Sequence, residues 1–98
     1  MYHKVEKRVY KVVPKLPPSV QVEVRAEIAK IRVATNFKNL KELADIAEIK
    51  GINLPYYRQK FGDYRFMMHY QAEPELLKVI VLTHRRDTYK KQNQPWRW

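Results

Sequence analysis

The sequence predicts an α+β domain in which helices pack on one face of a small antiparallel sheet. Two observations predict it. Apolar residues recur at helical spacing before Gly51, and strand-like apolar runs separated by turn residues follow it. A chain of 98 residues supplies one hydrophobic core, which we assign to a single domain over residues 1–91. Residues 92–98 form a polar C-terminal tail whose composition is compatible with disorder.

The first half of the chain predicts a short strand followed by two or three helices. Tyr2–Val5 is the strand, and Pro14 is expected to end or kink the first helix. Ser19 follows two prolines and is a candidate N-cap for a second helix, although the alternating valines after it equally permit a strand. The apolar face of that helix would contain Val20, Val24, Ile28 and Ile31. A further short helix is suggested by Leu40, Leu43, Ala44 and Ala47.

The second half predicts a three-stranded antiparallel meander. The strands are Tyr56–Phe61, Tyr64–Gln71 and Leu76–Thr83. Gly62-Asp63 forms the first turn, and Pro74 lies in the second. The last run is aliphatic on both of its faces, which indicates a central strand covered on each side.

Composition excludes several kinds of site. There is no cysteine, and Ser19 is the only serine, which argues against Ser or Cys nucleophiles and thiolate metal sites. The two glycines, Gly51 and Gly62, cannot form a phosphate-cradling loop. The three histidines are far apart, so we expect no metal or other cofactor. No apolar run approaches the roughly 20 residues of a membrane span, and we expect a soluble cytoplasmic protein.

The net charge of +10 favours a polyanionic partner. Residues 19–48 carry five bases and five acids, whereas residues 49–98 carry ten bases and four acids. Residues 1–18 add five bases and one acid, so the excess lies at the two ends of the chain. The simpler alternative is that this charge only maintains solubility.

Three basic segments surround the predicted meander. They are Tyr57-Arg58-Gln59-Lys60, Gly62-Asp63-Tyr64-Arg65 and the run from His84 to Lys91. Adjacent strands bring these segments to one surface. The ordered set, together with Leu16-Pro17 and Lys50-Gly51, is similar to the RelE/ParE superfamily of toxins from toxin–antitoxin systems. The resemblance covers residues 1–91 in element order, and its specific part is residues 50–89.

The RelE branch of that superfamily implies a metal-independent mRNA endoribonuclease that inhibits translation, for many members on the ribosome. It also implies a cognate antitoxin as partner and leaves the oligomeric state open. Carried over by motif, the catalytic positions fall on Arg58, Lys60, Arg65, Arg85 and Tyr89. Further RNA-binding positions are assigned to His84, Arg86, Lys90 and Lys91.

The chemistry of these side chains suits the implied reaction. The forked, permanently charged guanidinium groups of Arg65 and Arg85 suit phosphorane oxygens. Lys60, beside Arg58, is the candidate for proton transfer. Tyr89 is suited to stack on a base or to orient the phosphate.

Alternative interpretations remain open from the sequence. A ParE-like gyrase inhibitor would share the fold without cleaving RNA, and a basic nucleic-acid-binding module would bind without catalysis. Arg58 and Lys60 are equally suited to keep a sheet edge soluble. Ordinary ion pairs are another possibility, Arg65 with Asp63 or Glu73 and Arg85 with Asp87. The polar Gln59 between the two strand bases suggests an exposed strand.

Overall fold

Three helices and five strands make up the computed structural model, which describes residues 1–98. The helices are α1 (Lys7–Val12), α2 (Pro18–Val33) and α3 (Phe37–Leu43). The strands are β1 (Tyr2–Val5), β2 (Asp45–Glu48), β3 (Tyr56–Phe61), β4 (Tyr64–Gln71) and β5 (Leu76–His84). Short 3-10 turns cover Val13–Lys15, Arg85–Asp87, Lys91–Asn93 and Pro95–Arg97. The predicted α+β class is confirmed.

The strands form one mixed sheet in the order β1-β5-β4-β3-β2. The predicted meander β3-β4-β5 is confirmed, and Gly62 begins its first turn with a φ of 56°, a conformation that favours glycine. The expected small antiparallel sheet is instead mixed, because β1 pairs in parallel with β5. The sheet also gains β2, which pairs with β3 and places Ala47 opposite Arg58.

Two details of the helical half differ from the prediction. The short third helix ends at Leu43, and Ala44 and Ala47 adopt extended structure, because pairing with the edge of β3 outweighs the weak helical preference of so short a segment. Ser19 is not an N-cap. Helix α2 begins at Pro18, whose fixed φ suits the first helical position, and no side chain caps it. Pro14 does end α1, as predicted, within a 3-10 turn.

The main core lies between the helices and one face of the sheet. Its fully buried members include Val9, Val24, Ile31, Leu40, Phe66, Met68, Leu77 and Val79. In β5, Leu77 and Val79 pack in this core, while Val81 is buried outside it. The prediction of a central strand covered on both sides is therefore confirmed.

Gln59 belongs to the core side of β3, so the suggestion of an exposed strand was wrong. Its side chain is fully buried, and its Nε2 donates to Glu27 Oε1 at 3.1 Å. Glu27 is itself buried and pairs with Lys30. A buried amide needs such a partner, because an unpaired one costs about 1–3 kcal/mol. The polar residue in β3 thus fastens the sheet to α2.

A second polar link joins α3 to the β4–β5 turn. The hydroxyl of Tyr70 donates to Glu75 Oε2 at 2.8 Å, and the backbone N–H of Phe37 donates to the same oxygen at 3.2 Å. Burial, followed by the hydrogen bond to Glu75, raises the pKa of Tyr70 to about 12. The hydrogen bond from Tyr70, followed by that from Phe37, lowers the pKa of Glu75. The rings of Phe37 and Tyr70 also stack, with centroids 4.0 Å apart.

This link makes stability depend on pH in the acid range. The folded-state pKa of Glu75 lies below its ordinary value of 4.5, so its ionised form stabilises the fold above that pH. The contribution is lost as the pH falls through the folded-state pKa. We expect Glu75→Gln to lower the melting temperature near neutral pH, and the difference from wild type to narrow as the pH falls below 4.5. Glu42→Gln, on the exposed side of α3, is the control. A difference that stayed constant with pH would contradict this account.

Candidate functional site

On the face of the sheet turned away from the helices, strands β3 and β4 carry three lysine and arginine side chains. Side chains alternate along a strand, and Tyr57, Gln59 and Phe61 of β3 point toward the helices. Arg58 and Lys60 therefore lie on the opposite face, which we call the open face. Register places Lys60 directly opposite Arg65 of β4. Like charges on directly opposite residues destabilise a sheet. The Lys60–Arg65 pair therefore does not stabilise the fold.

Arg58 and Arg65 also lack carboxylate partners. The ion pairs of the structure are Glu27–Lys30, Asp63–Arg85 and Asp87–Lys90, and none includes a cation of the open face. The suggested pairing of Arg65 with Asp63 or Glu73 is therefore wrong. Arg58 and Arg65 each bury one Nη1 that has no hydrogen-bond acceptor. Each guanidinium is thus partly enclosed by protein and has no carboxylate partner, so its other N–H groups are suited to the oxygens of a phosphate.

Arg85 directly follows the end of β5 and lies beside Asp63 in the turn between β3 and β4. Its backbone N–H donates to Asp63 O at 2.7 Å, and its Nε lies 3.4 Å from Asp63 Oδ1. Asp87, the alternative partner suggested by the sequence, pairs with Lys90 instead at 2.9 Å. The Arg85–Asp63 side chains are 63% and 59% exposed, and so exposed a pair is weak. The Arg85 guanidinium can therefore leave Asp63 readily and bind another anion.

Tyr89 lies at the rim of the same face. Its side chain is 86% exposed, and it lines a cavity of about 420 Å³ together with Arg58, Lys50 and Trp96. We call this space the tail cavity. The structure thus brings Tyr89 and Arg58 to one cavity. Lys60 and Arg65 share the open face but do not line the cavity.

The other predicted RNA-binding residues are distributed differently. His84 Nδ1 accepts the backbone N–H of Arg86 at 3.1 Å, and the His84 ring meets that of Tyr64 at 5.1 Å. His84 and Arg86 line a separate cavity beside α1. Lys90 is held by Asp87, whose pKa the Lys90 hydrogen bond lowers. Lys91 is exposed near the tail.

Residues 92–98, expected as a polar tail compatible with disorder, form 3-10 turns that pack across the open face. Asn93 Nδ2 donates to Thr83 Oγ1 at 3.1 Å, and Gln94 Nε2 donates to Tyr89 O at 2.7 Å. The Trp96 ring lies 5.7 Å from that of Tyr56. At the chain end, the Arg8 guanidinium lies 4.1 Å from the Trp98 ring centroid.

The face of the sheet over which the tail packs contains further buried residues. Met67 and Val81 are 0% and 5% exposed, although neither belongs to the main core. Thr83 on the same face is also buried. The sequence interpretation missed this contact. The two tryptophans in an otherwise polar segment were the available signal, because large aromatic side chains are rarely left in solvent without a docking surface.

None of the helices combines the length and apolar character that a membrane crossing requires. His, Asp and Glu side chains nowhere gather in threes as a metal site would need.

Comparisons with known proteins find likeness at the level of structure. No family model matches the sequence, and no curated protein matches it either. The RelE–RelB complex of Pyrococcus horikoshii contains a chain that is 23% identical, with a TM-score of 0.63, covering 86% of this chain and 93% of that one. A chain of the RelB–RelE antitoxin–toxin complex of Methanococcus jannaschii is 22% identical, with a TM-score of 0.67, and the match covers 89% of this chain and 95% of that one. A chain of the RelBE2 toxin–antitoxin complex of Mycobacterium tuberculosis is 16% identical, with a TM-score of 0.58, and the match covers 88% of this chain and 92% of that one. The protein therefore has the RelE-like fold.

Proposed function

We propose that this protein is the toxin of a type II toxin–antitoxin pair and cleaves mRNA in the cytoplasm. The observation that carries the proposal is the pair Arg58 and Arg65, which hold unpartnered guanidinium donors on the open face. A protein that only needed solubility would leave such groups in water. Burying one Nη1 of each without an acceptor costs about 1–3 kcal/mol, and the other N–H groups of the same guanidinium groups suit a bound phosphate.

The reaction we propose is an in-line transfer within the RNA. The ribose 2′-oxygen bonds to the adjacent phosphorus, the bond to the 5′-oxygen breaks, and a cyclic phosphate and a 5′-hydroxyl result. Arg65 and Arg85 stabilise the phosphorane oxygens, and Arg58 holds the phosphate. Lys60 transfers the proton, and Tyr89 stacks on a base. The reaction needs no metal in this scheme, and we propose ribosome-bound message as the substrate.

The proposed partner is an antitoxin protein. The similar structures come from complexes of RelE with RelB. A net charge of +10 suits an acidic partner, because complementary charge accelerates association and selects the partner. Free of it, the toxin is expected to arrest growth.

Induced expression in bacteria tests the proposal. We expect growth and translation to stop, and purified protein to cleave ribosome-bound mRNA. The double variant Arg65→Ala/Arg85→Ala is expected to relieve the arrest. Equal toxicity from that variant would contradict the catalytic role. Inhibition of gyrase with intact mRNA would indicate a ParE-like activity, and salt-sensitive binding without cleavage or toxicity would indicate a binding module.

A further inference from the structure

We propose that the tail cavity is a subsite for one nucleobase of a single-stranded RNA and that Trp96 is its stacking residue. This inference rests on the proposed function, which it deepens by adding a residue that binds substrate outside the assigned catalytic set. The cavity volume of about 420 Å³ falls within the range of about 300–1,000 Å³ that is typical of small-molecule sites. Its lining includes Ile49, Lys50, Arg58, Thr88, Tyr89 and Trp96.

The tail holds Trp96 in position before any ligand binds. Pro95, immediately before it, is buried, and Gln94 is 7% exposed. The hydrogen bond from Gln94 Nε2 to Tyr89 O at 2.7 Å connects the segment that carries Trp96 to the segment that carries Tyr89. The contact with the Tyr56 ring, at a centroid distance of 5.7 Å, also restrains the Trp96 ring. A stacking platform prepared in this way loses little side-chain entropy on binding.

The remaining lining groups match a nucleotide. Arg58 contributes a guanidinium without a carboxylate partner, and Lys50 adds an exposed cation, so the phosphate is attracted to the same cavity. Glu48 also lines the cavity and offers a carboxylate acceptor. A carboxylate accepts from the exocyclic amino group of a base, which uracil lacks. Because purines also stack over a larger area, we expect adenine to bind more tightly than uracil.

Tryptophan fluorescence tests the subsite directly. The chain has two tryptophans, so Trp98→Phe leaves Trp96 as the only one. Trp98 does not line the tail cavity. We expect hexaadenylate to quench the fluorescence of this variant more strongly, and at lower concentration, than hexauridylate does. The matched control is Trp96→Phe, in which Trp98 alone reports and no comparable quenching is expected.

A binding measurement keeps the test independent of fluorescence. Trp96→Ala is expected to weaken hexaadenylate binding by about 10-fold, whereas Trp96→Phe, which keeps an aromatic face, retains most of the affinity. Circular dichroism melting of both variants checks that they fold. A Trp96→Phe variant that folds and binds as weakly as Trp96→Ala would overturn the stacking role.

Heparin, a polyanion without bases, separates charge from base recognition. Equal quenching of Trp96 by heparin and hexaadenylate would overturn the subsite. RNA cleavage and growth arrest with no Trp96 response would also overturn it, while leaving the proposed function intact. Quenching specific to bases in a protein that neither cleaves RNA nor arrests growth would support the subsite and contradict the toxin proposal.

Discussion

Replacing Arg58 or Arg65 with methionine is expected to lower RNA cleavage by at least about 100-fold, the usual loss when a preorganised donor to a developing charge is removed. Each side chain holds an Nη1 that no protein group accepts from, and no carboxylate pairs with either guanidinium. Methionine preserves most of the side-chain length and removes the charge. The measurement is cleavage of ribosome-bound mRNA under single-turnover conditions.

The same variants are expected to be at least as stable as wild type. Removing a partly buried charge that lacks a partner relieves its desolvation, which we expect to raise the free energy of unfolding by about 1 kcal/mol. Urea unfolding measures this difference. Lys38→Met, on the exposed surface of α3, is the control and should change neither property. Arg58 and Arg65 variants that lost stability and kept activity would show that these guanidinium groups serve the fold.

Deleting residues 92–98 is expected to lower the free energy of unfolding by about 3 kcal/mol. The deletion removes the hydrogen bond from Asn93 to Thr83 and uncovers apolar surface at Met67 and Val81. For a domain of this size, the corresponding fall in melting temperature is about 10 °C or more. Thermal unfolding followed by circular dichroism measures it.

Single substitutions divide this effect among the contacts of the tail. Asn93→Ala is expected to cost about 1–2 kcal/mol, because Asn93 Nδ2 donates to both Thr83 Oγ1 and Asp87 O and each hydrogen bond usually contributes about 1 kcal/mol. Trp98→Ala should cost less than the full deletion, since Trp98 is 56% exposed and leaves the Asn93 and Gln94 hydrogen bonds intact. A truncated protein that melted at the wild-type temperature would mean that the tail does not stabilise the open face.

Local patterns in the sequence were enough to predict the meander and the end of α1. A run of alternating side chains specifies a strand, and Gly62-Asp63 specifies a turn, because both depend on neighbours along the chain. The double-sided burial of β5 was also predictable, since its aliphatic residues continue on both faces. The positions of Arg58 and Lys60 on one face followed from the same alternation.

Contacts between distant segments needed the tertiary structure. The parallel pairing of β1 with β5 joins residues more than 70 positions apart, and no local pattern specifies the direction of such a pair. Gln59 appears polar and exposed in sequence, yet it is buried because Glu27 of α2 supplies its partner. The sequence was enough to assign Arg58 and Arg65 to the site. Only the structure shows that neither guanidinium has a carboxylate partner and that each has a buried Nη1 without an acceptor.

The sequence by itself thus determined the α+β class, the meander and the basic character of the surface, because periodicity, turn residues and charge are properties of the chain. Only the tertiary structure decided that the tail packs over the open face and that Trp96 lines a cavity with Arg58 and Tyr89. The physical reason is that docking depends on complementary surfaces formed after folding, and those surfaces bring together residues that the sequence keeps apart.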